Sequence, residues 1–120
     1  MDLYELPFAK IIILGKNLAE VIIHEGVELN ETMVDQFHEF LLTHLPSPFS
    51  LLINKVNAYT YDFEGQKKLG ALKEIDAIAV IAYSRLTRLS TASVASFPRA
   101  IQWNVKIFSN RDDALAWLQS

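Results

Sequence analysis

Tyr59 and Tyr61, two residues apart, follow the apolar run at residues 49–56, between Asn57 and Asp62. Arg85 and Arg88, three apart, follow a second apolar run at residues 77–83, directly behind Ser84. If the two runs are neighbouring parallel strands, the loops after them lie side by side, where open α/β sheets hold their ligands. Phenol rings would wall such a site. Guanidinium groups, with the free N–H groups of a helix start, would take an anion. Arg85 and Arg88 share one side of the first turn of the helix they open. Cations there oppose the helix dipole, so a use is expected for them: an anionic ligand, or the acidic half of a second copy of the chain. The plainer alternative is that the tyrosines pack over the sheet end and the arginines are solvated. Asn57, Tyr59, Tyr61, Asp62, Ser84, Arg85 and Arg88 are therefore the candidate ligand- or partner-binding residues.

No catalytic set accompanies them. A nucleophile, a base and an orienting group do not assemble from any local motif, so the chain is expected not to be an enzyme. There is no Gly-x-Ser-x-Gly elbow and no phosphate-binding glycine loop. His38-Glu39 begins a zinc-protease pattern, but Leu42 stands where the second histidine is required. His24, His38 and His44 read as surface or boundary residues, and neither a metal nor a cofactor is expected.

The chain has 120 residues, 51% of them apolar, which suits one domain with its own core. It has no cysteine, so disulfides, thiolate catalysis and Cys-based zinc sites are excluded. Net charge is −3. Residues 1–54 hold two basic groups against eight acidic, and residues 55–120 hold nine against six. An acidic chain without a basic cluster is a poor nucleic-acid binder. The polarity between the halves could support self-association. The N-terminus is acidic, without a secretory signal pattern. The longest apolar run, at residues 77–83, is far too short to span a bilayer. The expectation is a soluble cytoplasmic protein with no membrane insertion.

The elements that would position the candidates follow from periodicity. Residues 8–14 and 18–25, joined by the turn Gly15-Lys16-Asn17, predict an antiparallel hairpin. Asn30 caps a first helix in which Met33, Val34, Phe37, Leu41 and Leu45 recur at helical spacing; Pro46 and Pro48 end it. Residues 49–56 predict a strand, and Asp62 opens a second helix bearing Gly65, Leu69 and Leu72 on one side. Residues 77–83, apolar on both faces, predict a central parallel strand. Residues 86–97 predict a third helix, ended by Pro98. Residues 103–108 predict the last strand, with Trp103, Val105 and Ile107 buried. Ser109 and Asp112 are expected to form the capping box of a closing helix. The order β-β-α-β-α-β-α-β-α predicts a single α/β domain over residues 1–120. Its five-stranded, mostly parallel sheet has an antiparallel N-terminal edge strand and four helices.

This order, together with the closing segment Phe108-Ser-Asn-Arg-Asp-Asp-Ala-Leu-Ala-Trp-Leu118 and the segment Asp62-Phe63-Glu64-Gly65, resembles the SpoIIAA-like branch of the STAS superfamily. The resemblance spans essentially the whole chain. It implies a non-enzymatic regulatory or binding module, for which a homodimer or a protein partner is the expectation here. In anti-sigma-factor antagonists of that superfamily an Asp-Ser-x-Gly-like motif carries a phosphorylated serine. Asp62 and Gly65 match the motif, whereas Phe63 stands at the serine position, so the phosphoswitch does not carry over. The same branch has been grouped structurally with Sec14-like lipid-binding domains, which implies a small apolar or anionic ligand as the alternative. A response-regulator receiver is disfavoured, because Gly15-Lys16 and Asn57-Ala58 occupy the places of its acidic pair and phospho-accepting aspartate.

Overall fold

The computed structural model describes residues 2–69, 71–96 and 104–120. β1 (Asp2–Leu6), β2 (Ala9–Gly15) and β3 (Leu18–Ile23) form an antiparallel meander. β4 (Glu28–Leu29) precedes α1 (Glu31–His44), and β5 (Phe49–Asn54) follows it. Then come β6 (Thr60–Tyr61), α2 (Phe63–Lys68), β7 (Ile75–Ile81), α3 (Arg85–Ala95), β8 (Val105–Phe108) and α4 (Arg111–Leu118). The main sheet has the order β1-β2-β3-β5-β7-β8, parallel from β3 onward. β4 and β6 form a separate parallel pair.

The expected class holds, with three corrections in detail. The sheet has six strands rather than five, because Asp2–Leu6 pairs with β2 and takes the antiparallel edge. Pro7 and Phe8 make the turn between them, and Tyr4 secures the strand by packing its ring 5.2 Å from Phe40 and 4.8 Å from His44 of α1. The strand expected at the centre, β7, lies one in from the parallel edge, flanked by β5 and β8. It is nonetheless buried from Ile78 to Ala82, as two-sided apolar strands are. The closing helix is capped by Asn110, not by Ser109. The Asn110 side chain accepts from the Asp113 N–H at 2.9 Å and donates to the Asp113 carboxylate at 3.0 Å. The capping pair is shifted by one residue, and the aspartate at the third helical position answers the Asn110 side-chain amide rather than the backbone N–H of the capping residue.

Asn30 caps α1 and Asp62 caps α2, accepting from Met33 N at 2.9 Å and Gly65 N at 2.7 Å. Helix α1 ends before Pro46, and the Ser47–Pro48 bond is cis. α3 begins one residue earlier than expected, capped by Ser84. Its expected end at Phe97 and Pro98, and Trp103 of the last strand, lie outside the described residues.

Register divides the core into two faces. Ile11, Val21, Ile53, Val80 and Ile107 lie in one row across five strands. That face is covered by α1, α2 and α3. Glu20, Leu52 and Ala79 lie in the next row, on the opposite face, under α4. Burying a Val, Leu or Ile side chain contributes roughly 1.5–3 kcal/mol, so the two faces together hold the sheet between its helices.

Candidate functional site

Alternation along β5 sends Leu51 and Ile53 to the three-helix face. The next inward position after Ile53 is Lys55. The chain stays in register there, since the Lys55 N–H donates to Ile81 O at 3.1 Å. The loop that follows is strapped to residues 23–29. The Asn57 amide donates to Ile23 O at 3.0 Å, Gly26 N to Ala58 O at 2.8 Å, and Thr60 N to Val27 O at 2.9 Å. Gly26 takes φ of +79°, the left-handed turn that lets the strap close. Pairing of β4 with β6 then fixes Tyr61 opposite Leu29. Gly65 completes the corner. A side chain there would run into the Leu29 carbonyl, so only glycine lets the first turn of α2 lie against β4.

These constraints bring Lys55, Tyr59 and Tyr61 together. The tyrosine rings meet edge to face at 5.6 Å and are joined by a hydroxyl hydrogen bond. The Lys55 ammonium lies 5.2 Å from the Tyr59 ring centre and 5.9 Å from that of Tyr61, within range of a cation–π attraction. All three line one apolar cavity of about 60 Å³ toward the carboxyl ends of β3, β5 and β7. Its walls include Val21, Ile23, Ile53 and Val80 from the sheet, Phe37 from α1 and Val94 from α3. Burial lowers the Lys55 amine to about 8, because the charged form loses water. Burial, and next the neighbouring Tyr61, raise the Tyr59 hydroxyl well above its ordinary value. Lys55 and the two phenol rings thus stand at one part of the cavity wall, with no carboxylate among the described residues paired to the ammonium.

Of the seven residues singled out in the sequence, Tyr59 and Tyr61 line the cavity. Asn57 holds the loop, while Asp62 and Ser84 cap their helices. Arg85 and Arg88 stand exposed on the first turn of α3, do not line the cavity, and form no ion pair with a described residue. Lys55 escaped notice, although its inward parity on β5 was a usable signal. The histidine reading needs correction at one position. His38 is buried on α1, and burial lowers its pKa to about 4. No group of three His, Asp or Glu among the described residues is placed to hold a metal ion. No described helix is long and apolar enough to cross a membrane.

The opposite face carries a second polar cluster. The buried Glu20 carboxylate receives Arg111 Nη2 at 2.8 Å and Asn54 Nδ2 at 2.9 Å. The Tyr83 hydroxyl donates to Asn54 Oδ1 at 2.8 Å. Both carboxylate oxygens have partners, which fits a tie between α4 and the N-terminal meander.

Compared with solved structures, the chain matches an uncharacterised protein of the DUF3478 family from Shewanella loihica PV-4, described as having a SpoIIAA-like fold. The match has a TM-score of 0.61 at 19% identity and covers 92% of this chain and 91% of that one. This chain has a SpoIIAA-like fold. No protein-family model matches it, and no curated protein does. At this identity the likeness carries the fold alone. The expected resemblance is therefore sound for architecture, and Phe63 is exposed at the start of α2.

Proposed function

We propose that this SpoIIAA-like domain is a non-enzymatic binding module that takes the apolar part of a small ligand into the cavity under α1, α2 and α3. The observation that carries the reading is the cavity itself: apolar walls with a few polar groups converging at one end are the usual composition of a ligand pocket. The cysteine-free composition suits a binding protein of the reducing cytoplasm. Without a hydroxyl at position 63, binding rather than phosphorylation of this loop is the event to be sensed. Methyl NMR tests the reading. Titration with 1-butanol is expected to shift the Val21, Ile23, Ile53 and Val80 methyls ahead of all others. Unmoved cavity methyls at saturating alcohol would refute it.

A second reading concerns association. Leu86 and Leu89 of α3 are 78% and 60% exposed, and Arg85 and Arg88 lie beside them. We propose that this helix meets the acidic N-terminal half of a second copy. Arg85→Glu combined with Arg88→Glu should then weaken association in sedimentation, as should added salt. An unchanged sedimentation profile would dismiss the dimer.

A further inference from the structure

We propose that Lys55 is an anion anchor and that the ligand of this cavity is a short-chain monocarboxylate, its alkyl chain inside and its carboxylate against the Lys55 ammonium. This rests on the binding reading above and adds the chemical class of the ligand.

Four observations narrow the class. First, Lys55 occupies the inward position one residue past β5 and lines an otherwise apolar cavity, with two tyrosine rings near it and no carboxylate of the described residues paired to it. A cation drawn partly out of water without a counter-ion is unfavourable, and an anionic ligand removes that cost. Second, among the described residues lining the site there is one cation, and the extra donors that a phosphate dianion uses are not found among them. The N-termini of α2 and α3 are already occupied by the side chains of Asp62 and Ser84. A singly charged, two-oxygen head group suits one ammonium. Third, an amine would meet like charge, and an alcohol would leave the ammonium uncompensated. Fourth, the cavity measures about 60 Å³, well under the ~150 Å³ that accommodates a benzene ring. A chain of roughly three to five carbons is therefore favoured over an aromatic ring or a long acyl tail.

The test compares butyrate, 1-butanol, butylamine and octanoate by methyl NMR titration of the intact chain at pH 7. Butyrate is expected to bind about tenfold tighter than 1-butanol, the difference one charge-assisted hydrogen bond supplies. Butylamine and octanoate should bind more weakly than butyrate. Lys55→Met should erase the preference for butyrate over 1-butanol. A second readout needs no variant. Tyr59 and Tyr61 are the titratable groups nearest the Lys55 ammonium, and Tyr59 stays protonated well past pH 9. The butyrate preference of the wild-type chain should therefore shrink from pH 7 to pH 9.5 as the ammonium is lost. If butyrate binds no tighter than 1-butanol, or its preference survives both Lys55→Met and pH 9.5, the carboxylate assignment falls while the cavity reading stands. If neither compound binds, both fall.

Discussion

Under α4, the buried carboxylate of Glu20 is met by the Arg111 guanidinium and the Asn54 amide. Under α1, α2 and α3, the Lys55 ammonium is met by two tyrosine rings and by no carboxylate of the described residues. Both groups project from the same sheet, and both are largely withdrawn from water. One face has satisfied its charge from within the chain, which is how a structural polar cluster is built. The other leaves a charge facing a void, which a structural cluster would not do. Buried polarity by itself therefore does not single out a candidate site in this molecule; incomplete pairing among the described residues beside unfilled volume does.

Leu51 and Leu52 test that contrast most directly, since they are adjacent, equally buried and on opposite faces. Each change to alanine should cost about 2–5 kcal/mol in urea melts. If the cavity takes the proposed carboxylate, only Leu51→Ala, which widens it, should improve binding of a longer one such as octanoate. A gain at Leu52→Ala as well would mean that the faces do not differ in function.

His38 gives the next effect. Its pKa falls to about 4 on burial from an ordinary 6.5, so between those values the unfolded chain binds the extra proton. Stability should therefore drop as pH falls from 6.5 to 4, by roughly 1–3 kcal/mol. His38→Leu should flatten that part of the stability profile. An identical acid limb in the variant would exclude His38 as its source.

On the α4 face, Arg111→Ala should cost about 2 kcal/mol, because Glu20 stays buried while Arg111 was itself partly in water. Changing Glu20 and Arg111 together to leucine should recover most of that loss. A double variant no better than the single one would show a role beyond pairing.

The smallest effect belongs to Lys55. Its folded pKa of about 8 lies below the ordinary 10.5, so the folded state is penalised at neutral pH and relieved as pH rises past 8. Wild-type stability relative to Lys55→Met should increase between pH 8 and 10 by about 1 kcal/mol, discounted for the water the half-buried amine retains. Above that window the raised Tyr59 pKa works in the opposite direction. A flat difference would mean that the amine is well solvated.

The sequence made the alternating elements legible because their signals are local. Caps at Asn30 and Asp62, prolines after α1 and the two-sided apolar β7 each act within a few residues. β1 went unread because Asp2-Leu3-Tyr4-Glu5-Leu6 lacks β-branched residues and gains its order from Tyr4 reaching α1. β4 and β6 are two residues each, too short to show a period, and form only because the loop is strapped back to residues 23–29. The tyrosines were found because paired aromatics after a strand stand out by type. Lys55 was not, because its meaning depends on parity and on what α1 and α3 leave unfilled above it. His38 looked polar and therefore superficial, whereas its spacing from Val34 and Leu41 is that of the buried stripe.

The Glu20–Arg111 bond joins residues 91 apart in sequence, and this bears on how the polypeptide is made. Among the described elements, α4 leaves the ribosome last. Until it arrives, the row of Leu52, Ala79 and Ile81 has no cover, and the Glu20 carboxylate waits without its guanidinium. Nascent chains stalled before α4 should thus expose a sticky apolar strip and recruit chaperones, with the arrival of Arg111 both sealing that strip and neutralising the waiting charge.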